Sequence, residues 1–406
     1  MQADAVVIGA GAAGMMGALV AAERGARVQL FEADLEGPSN LRVSGGLFPG
    51  AGTRWQREAG IHDDPSIFAR DIRAKGAGTQ NEMIVDAVAR RSREAIDFLA
   101  DTCGIPIHLM KIVAPGHSVA RLHATPGESG RELLALMRAA ISKQKRIAVL
   151  ERAVKGIDEF GAAPILLATG GFAGNRELLR EFLPQVAEAL HIGAGPNDGC
   201  AIDWGRARGA ALSQMDGYQG QGHVNPGRGT RLGMTLPRLG AILLNREGQR
   251  FVDEAIGPSE LAAVVLAQPG GRALEVFDKR IHDVAIRQGP YREAWEAGEV
   301  KVVDDLAELG LPRVPPEMLA KFERPLYAAW VTGALAHTQG GVAVDARARA
   351  VRADGSPIEG LFAAGGAAAG LAGRGGEGYL PGNGLAQSFA LGLIAGEEMS
   401  SLGRGA

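Results

Sequence analysis

The sequence predicts an α/β fold in which a buried parallel sheet, flanked by helices, is interrupted by an inserted α+β domain. Three observations carry this. The chain opens with a short apolar run, Ala5-Val6-Val7-Ile8, that leads into a glycine-rich turn and an apolar helix. Two later runs, Pro164–Ala168 and Gly360–Gly365, have the same character and also end in glycine. Such runs suit parallel strands covered on both faces. Between about residues 200 and 335 the pattern changes to short strands, polar helices and Pro-rich loops.

Each element follows in order. Ala5–Ile8 is the first strand, and Gly9-Ala10-Gly11-Ala12-Ala13-Gly14 turns it into a helix over Met15–Arg24, stopped by Gly25. Arg27–Phe31 is the second strand, closed by Glu32 and Ala33. Residues 79–103 and 129–145 read as amphipathic helices. Pro164–Ala168 is a buried strand ended by Thr169-Gly170-Gly171. Ala241–Leu244 and Leu274–Phe277 are strands of the inserted part, and the run from Gly382 to Gly396 is a turn followed by a final helix. The expected domains are 1–205 and 336–406 as two parts of one domain, with 206–335 inserted between them.

Composition bounds the function. The 406 residues are 46% hydrophobic and 22% charged, as in a globular protein. A net charge of −3 argues against a nucleic-acid partner. Two cysteines, Cys103 and Cys200, exclude a disulfide framework and a Cys-built zinc or iron–sulfur site. No apolar run reaches the roughly 18 residues of a membrane span, and Met1–Asp4 lacks a basic leader. A soluble, cytoplasmic protein is expected.

The first turn carries a G-x-G-x-x-G pattern in its full context: a strand before, a helix after, and an acid at the end of the second strand. Gly9 makes the turn, Gly11 lets the backbone approach a pyrophosphate, and Gly14 permits close helix–strand packing. The helix N-terminus offers N–H groups to phosphates, and Glu32 can accept from ribose hydroxyls. This pattern serves NAD and FAD alike.

Further segments choose between them. These are Ser39-Asn40-Leu41-Arg42-Val43-Ser44-Gly45-Gly46, Ala168–Asn175, His337-Thr338-Gln339-Gly340-Gly341 and Gly382-Asn383-Gly384-Leu385-Ala386. Together, in order, they resemble the flavoprotein family of fumarate reductase, the succinate dehydrogenase flavoprotein subunit and 3-ketosteroid dehydrogenases. The resemblance implies FAD, a Rossmann-type FAD-binding domain and an inserted α+β capping domain for the substrate. It places Gly9, Gly11, Ala12, Ala13 and Gly14 at the pyrophosphate, Glu32 and Ala33 at the ribose, and Val154 at the adenine. Asn40, Ser44, Gly45 and Gly46 fall along the flavin end. Ala168, Thr169 and Gly170 fall near the adenosine half, and Asp198 near the cofactor. Gly365, Gly366, Asn383, Gly384 and Leu385 fall beside the ribityl chain and pyrimidine ring.

Departures from the family pattern are informative. Covalent members attach FAD to a His where this chain has Ser39, so non-covalent FAD is expected. The fumarate reductase proton donor, an Arg, and the ketosteroid dehydrogenase Tyr both align with Pro258, which can move no proton. The carboxylate-clamping Arg aligns with Tyr379. The resemblance implies Tyr379 and His337 as proton-handling or carbonyl-binding groups, with Tyr218, His223, Arg374 and Arg121 as further substrate-site candidates. The expected activity is oxidation or reduction of a carbon–carbon bond next to a carbonyl, with hydride exchanged at flavin N5. Arg374, Arg121 and His337 gripping a small polycarboxylate, as in a tricarballylate-like dehydrogenase, is an alternative. A non-catalytic flavin electron carrier is another. With no built-in haem or cluster, an external electron donor or acceptor is implied.

Overall fold

The computed structural model describes residues 3–254, 256–312 and 314–402. Two compact units emerge. One comprises Met1–Leu178, Gly193–Tyr218 and His337–Ala406; the other comprises Leu179–Ile192 and Gln219–Ala336. This division differs from the expected boundaries at two places. The insertion starts later than residue 206, and residues 179–192 join it, because Leu190–His191 forms a short parallel pair with Ala334 and Leu335.

The first unit is built on a six-stranded sheet. Ala5–Ile8 lies between Val28–Glu32 and Ile165–Leu167, both parallel to it. Ile147–Glu151 extends the sheet beyond Val28–Glu32, and Pro357–Ala363 extends it beyond Ile165–Leu167. Arg349–Val351 closes the edge antiparallel. The central strands are apolar throughout because helices cover both faces. Helix Ala12–Glu23 has almost no polar side, and it packs against the last helix, Asn383–Leu402. Gly17 on one helix and Gly392 and Gly396 on the other make this possible. A Cβ on Gly392 would meet the Ala13 carbonyl oxygen at 2.6 Å, and one on Gly396 that of Gly17 at 2.6 Å.

The amphipathic helices form near their expected places, as Glu82–Asp97 and Gly130–Lys143. The first continues into a π-helical turn, Phe98–Thr102.

The second unit has a sheet in the order Tyr218–Val224, Leu326–Thr338, Ala273–Phe277, Ile242–Leu244. Its last two pairings are antiparallel. Helix Pro258–Leu266 lies on this sheet, starting with Pro at its first turn, where a missing N–H costs nothing. Among the described residues no helix is long and apolar enough to cross a membrane.

Candidate active site

The sheet's first strand delivers the backbone into a cradle. Gly9 turns at φ +103°, a left-handed region that favours glycine. A Cβ on Gly9 would collide with the Ala168 carbonyl, and one on Gly14 with that of Gly9. Gly11 has the opposite character: a Cβ there would meet nothing within 4 Å. Gly11 also N-caps the helix without a side-chain cap, so the first N–H groups of the helix face open space. Uncapped amides and the helix dipole suit a phosphate. Glu32 ends the second strand beside this turn, accepting from the N–H of Ala10 at 2.7 Å and of Ala33 at 2.9 Å.

Other expected cofactor contacts gather around the same sheet end. Gly366 presses on Gly170 and Gly171; a Cβ on it would sit 2.8 Å from the Gly171 nitrogen. Gly365, at φ +63°, lies against Ala13, its carbonyl held at 3.0 Å by the Gln387 amide. Ser44 accepts from the Gly46 N–H at 3.1 Å, and Gly46 packs on the Ser129–Gly130 backbone. Asn40 accepts from the Ala194 N–H at 2.8 Å. Gly45 has only Leu47 near it, Val154 packs half-buried on the core beyond Ile147–Glu151, and Leu385 does so at the start of the last helix.

Two buried polar atoms in this region have no partner among the described residues, the two ends of the Asn383 side-chain amide. Native proteins leave few such atoms, so each asks for a bound group. A phosphate-ready helix end, an acid beside it and an orphaned donor and acceptor at Asn383 together fit a flavin dinucleotide.

Asp198 is exposed, its carboxylate accepting from the Cys200 N–H at 3.1 Å. The neighbouring Asn197 is the buried one, at φ +40°, and its Oδ1 abuts Gly170. Asn tolerates the left-handed conformation better than most residues, which is the signal sequence reading could have used.

The proton-handling candidates sort themselves by how their polar atoms are satisfied. His337 and Tyr379 meet edge to face, ring centroids 5.5 Å apart. Gly384, in the first turn of the last helix, lies beneath them; a Cβ there would be 3.4 Å from His337 Nε2 and 3.7 Å from the Tyr379 hydroxyl. The Gly382 and Gly384 N–H groups donate to that hydroxyl, yet burial outweighs them and pushes the phenol up to about 12. Tyr379 therefore keeps its proton and can donate it. Burial also holds the His337 imidazole below the usual histidine range. His337 Nδ1 lies 3.2 Å from the Thr338 carbonyl oxygen, which can only accept. Nδ1 therefore carries the hydrogen and Nε2 keeps its lone pair. The Gln339 amide is 3.1 Å from the same Nδ1; turned oxygen-first, it gives the buried, unpartnered Gln339 Oε1 a donor.

Two more candidates join this neighbourhood through the backbone. Asp216-Gly217-Tyr218 runs between Gln339, whose N–H donates to Gly217 at 2.8 Å, and Gly375, whose carbonyl accepts from Tyr218 at 3.2 Å. Tyr218 itself is buried. Arg374 is exposed and ion-paired with Asp216 at 3.0 Å.

Arg121 and His223 are both buried. Arg121 is 1% exposed. Its Nε and Nη2 bond Asp63 at 3.0 Å each, and Nη1 bonds Asp71 at 2.6 Å. A buried guanidinium without water must be met by carboxylates, and this one holds a loop. His223 belongs to the second unit and is fully buried, Nδ1 3.1 Å from Glu275 Oε1, but neither its ring nitrogens nor the Glu275 oxygens make a well-directed hydrogen bond. The small Ala329 lies opposite Glu275 on the strand between them. Pro258 begins a helix and carries no proton-active group.

A glycine-lined cradle on a parallel sheet, with a buried His337–Tyr379 pair at the entry of the last helix, fits a dinucleotide-binding oxidoreductase. The chain belongs to the FAD binding domain family, which it matches over residues 4–154 and 140–385. Its cofactor is FAD. It is 28% identical over 444 residues to a fumarate reductase (cytochrome) of Shewanella frigidimarina, covering 97% of this chain and 76% of that one. Among solved structures it is similar to the open conformation of a flavocytochrome c3 fumarate reductase, with a TM-score of 0.84 and 24% identity over 98% of this chain and 78% of that one. It is also similar to a 3-ketosteroid delta1-dehydrogenase from Sterolibacterium denitrificans. There the TM-score is 0.78 and the identity 18%, over 98% and 99% of the two chains. The chain is an FAD-dependent oxidoreductase of this family.

Proposed function

We propose that this protein oxidises or reduces a carbon–carbon bond next to a carbonyl, and that Tyr379 holds the carbonyl oxygen. The observation that carries this is the pairing of a protonated phenol with a neutral imidazole over Gly384. FAD, when bound, supplies hydride exchange with the carbon β to the carbonyl. The Tyr379 hydroxyl donates to the carbonyl oxygen and stabilises charge as it develops there. His337 Nε2 takes the proton from the α-carbon in desaturation or, once protonated, returns it in reduction. Gly9, Gly11, Gly14 and Glu32 would bind the pyrophosphate and ribose, with Asn383 filling its open hydrogen bonds on the cofactor. Ser39 caps the short helix Asn40–Val43 and offers no attachment nitrogen, so FAD would be held non-covalently and released by acid precipitation.

A ketone or enone fits better than a dicarboxylate. Of the three groups available to grip carboxylates, Arg121 is consumed by Asp63 and Asp71, and Arg374 is paired with Asp216. His337 alone is left, and it is neutral. The similarity to a fumarate reductase supports a second reading, an unsaturated carboxylate held by Arg374. Comparing kcat/KM for 2-cyclohexenone and fumarate, with a reduced dye as the external donor, separates them. The enone is expected to be the better substrate. A clear preference for fumarate would replace the first reading by the second.

A further inference from the structure

His117 lies outside the donor–base pair but ends on the turn that carries it. It is 7% exposed and stacked on Phe68, ring centroids 6.3 Å apart. Its Nε2 is 2.8 Å from the Pro381 carbonyl oxygen, and its Nδ1 is 3.4 Å from Arg121 Nη1. A guanidinium only donates and a carbonyl only accepts. The two partners therefore fix one tautomer, with the lone pair on Nδ1 and the hydrogen on Nε2. Arg121 cannot move to accommodate another, because Asp63 and Asp71 pin it from two sides. Asp71 also accepts from the Ser118 N–H and hydroxyl, each at 2.8 Å, closing the loop around His117. Gly116, at φ +85°, seats that loop on the turn; a Cβ there would be 2.8 Å from Leu380 Cδ1.

Pro381 sits between Tyr379 and Gly384. The same turn supplies the Gly382 and Gly384 N–H groups to the Tyr379 hydroxyl. It starts the last helix through Asn383 N–H to Leu380 at 3.0 Å and Leu385 N–H to Gly382 at 3.1 Å. We infer that His117 is a positioning residue: its Nε2–H holds the Pro381 carbonyl and so fixes the Leu380–Gly384 turn beneath Tyr379. The inference rests on the reading of Tyr379 as the carbonyl-binding donor. It gives the buried Arg121 network a purpose, which is to set the polarity of His117.

The test uses His117→Gln, His117→Asn and His117→Leu in the full FAD-loaded chain. A Gln amide can accept from Arg121 and donate to Pro381. Asn carries the same amide on a side chain too short to reach, and Leu offers no polar atom. Hydrogen exchange of the peptide spanning 379–389 is followed by mass spectrometry, with kcat and KM for 2-cyclohexenone alongside. In His117→Asn and His117→Leu, exchange there should quicken about tenfold, the scale of one lost hydrogen bond. It should stay unchanged in the sheet, and kcat should fall while KM holds. His117→Gln should stay within about threefold of the parent. Parent-like exchange in His117→Asn overturns the inference, as does His117→Gln exchanging as fast as His117→Asn. If His117→Leu does not fold, the Gln–Asn pair decides alone. Exchange does not depend on the substrate. Absent enone turnover with the expected exchange pattern would therefore refute the reading of Tyr379 and leave the positioning role standing.

Discussion

Two polar clusters of the FAD-binding unit look alike in sequence and differ in how their atoms are satisfied. Around Arg121, partners meet side by side: Asp63 with Gln56 and Arg121, Asp71 with Ser118 and Arg121, His123 with Thr53 and the Arg121 carbonyl. Around His337 and Tyr379, atoms are left over: both ends of the Asn383 amide and the His337 Nε2 lone pair facing Gly384. A closed network holds a fold, because every buried charge has its counterpart. An open one stands ready for something outside the chain. A buried histidine occurs in both, so that residue type alone could not tell them apart.

Breaking the closed cluster should have the largest effect, and on stability. Arg121→Met leaves Asp63 and Asp71 buried without a cation, which costs about 3–5 kcal/mol. A fall of that size in urea unfolding free energy is expected; a change below about 1 kcal/mol would mean the network is not structural.

Breaking the open cluster should instead spare stability and remove turnover. Tyr379→Phe is expected to lower kcat by about 10²- to 10³-fold, the effect of losing one donor to a developing oxyanion. FAD content, read from the flavin absorbance, should be unchanged. His337→Asn should cost about 10²-fold by removing the base, again with FAD retained.

Acid should weaken the closed cluster as well. Burial holds His123 at about 4, with its Nδ1–H on the Arg121 carbonyl at 2.9 Å and its Nε2 accepting from Thr53 at 2.9 Å. Unfolded histidine titrates near pH 6.5 (about one proton per site). Between those values the unfolded chain binds the extra proton, so His123 makes stability fall as pH drops from about 6.5 to about 4. Asp71 acts lower. Burial raises its carboxyl, but the Ser118 and Arg121 bonds outweigh this and hold it below the usual range. Its contribution is therefore present above the ordinary carboxylate pKa and lost below it. Urea midpoints at a series of pH values check the sign; a midpoint flat from neutrality to pH 4 would contradict it.

The smallest effect belongs to Arg374→Gln. Its ion pair with Asp216 is exposed, so stability should move by less than about 0.5 kcal/mol. Enone turnover should also hold; a tenfold or larger rise in KM for fumarate alone would favour the carboxylate reading.

Much of the fold was legible in sequence, because strand–turn–helix geometry writes itself into residue type. Gly9, Gly11 and Gly14 stand where a side chain would collide or block an approach, and Glu32 closes the strand beside them. The turn entering the last helix was readable for the same reason. What was not legible depended on tertiary neighbours. Nothing local marks Arg121 as sealed, since Asp63 and Asp71 lie 58 and 50 residues away. His223 was drawn into the second unit's core by Glu275, 52 positions on, across the small Ala329. Asn197, buried beside Gly170, was missed because its positive φ is set by the turn and not by its residue type. Residues 179–192 left the first unit for a strand pairing of two residues, too short to announce itself in a pattern.

The central claim is that this chain moves hydride and proton across a carbon–carbon bond beside a carbonyl, with Tyr379 on the oxygen. Its most direct test is the anaerobic absorbance of the FAD-loaded protein mixed with saturated ketones and, after reduction with dithionite, with the matching enones. The account predicts that a ketone bleaches the oxidised flavin band or an enone restores it, and that Tyr379→Phe slows whichever occurs. A flavin that dithionite reduces and oxygen reoxidises, but that no carbonyl compound touches in either direction, would contradict it.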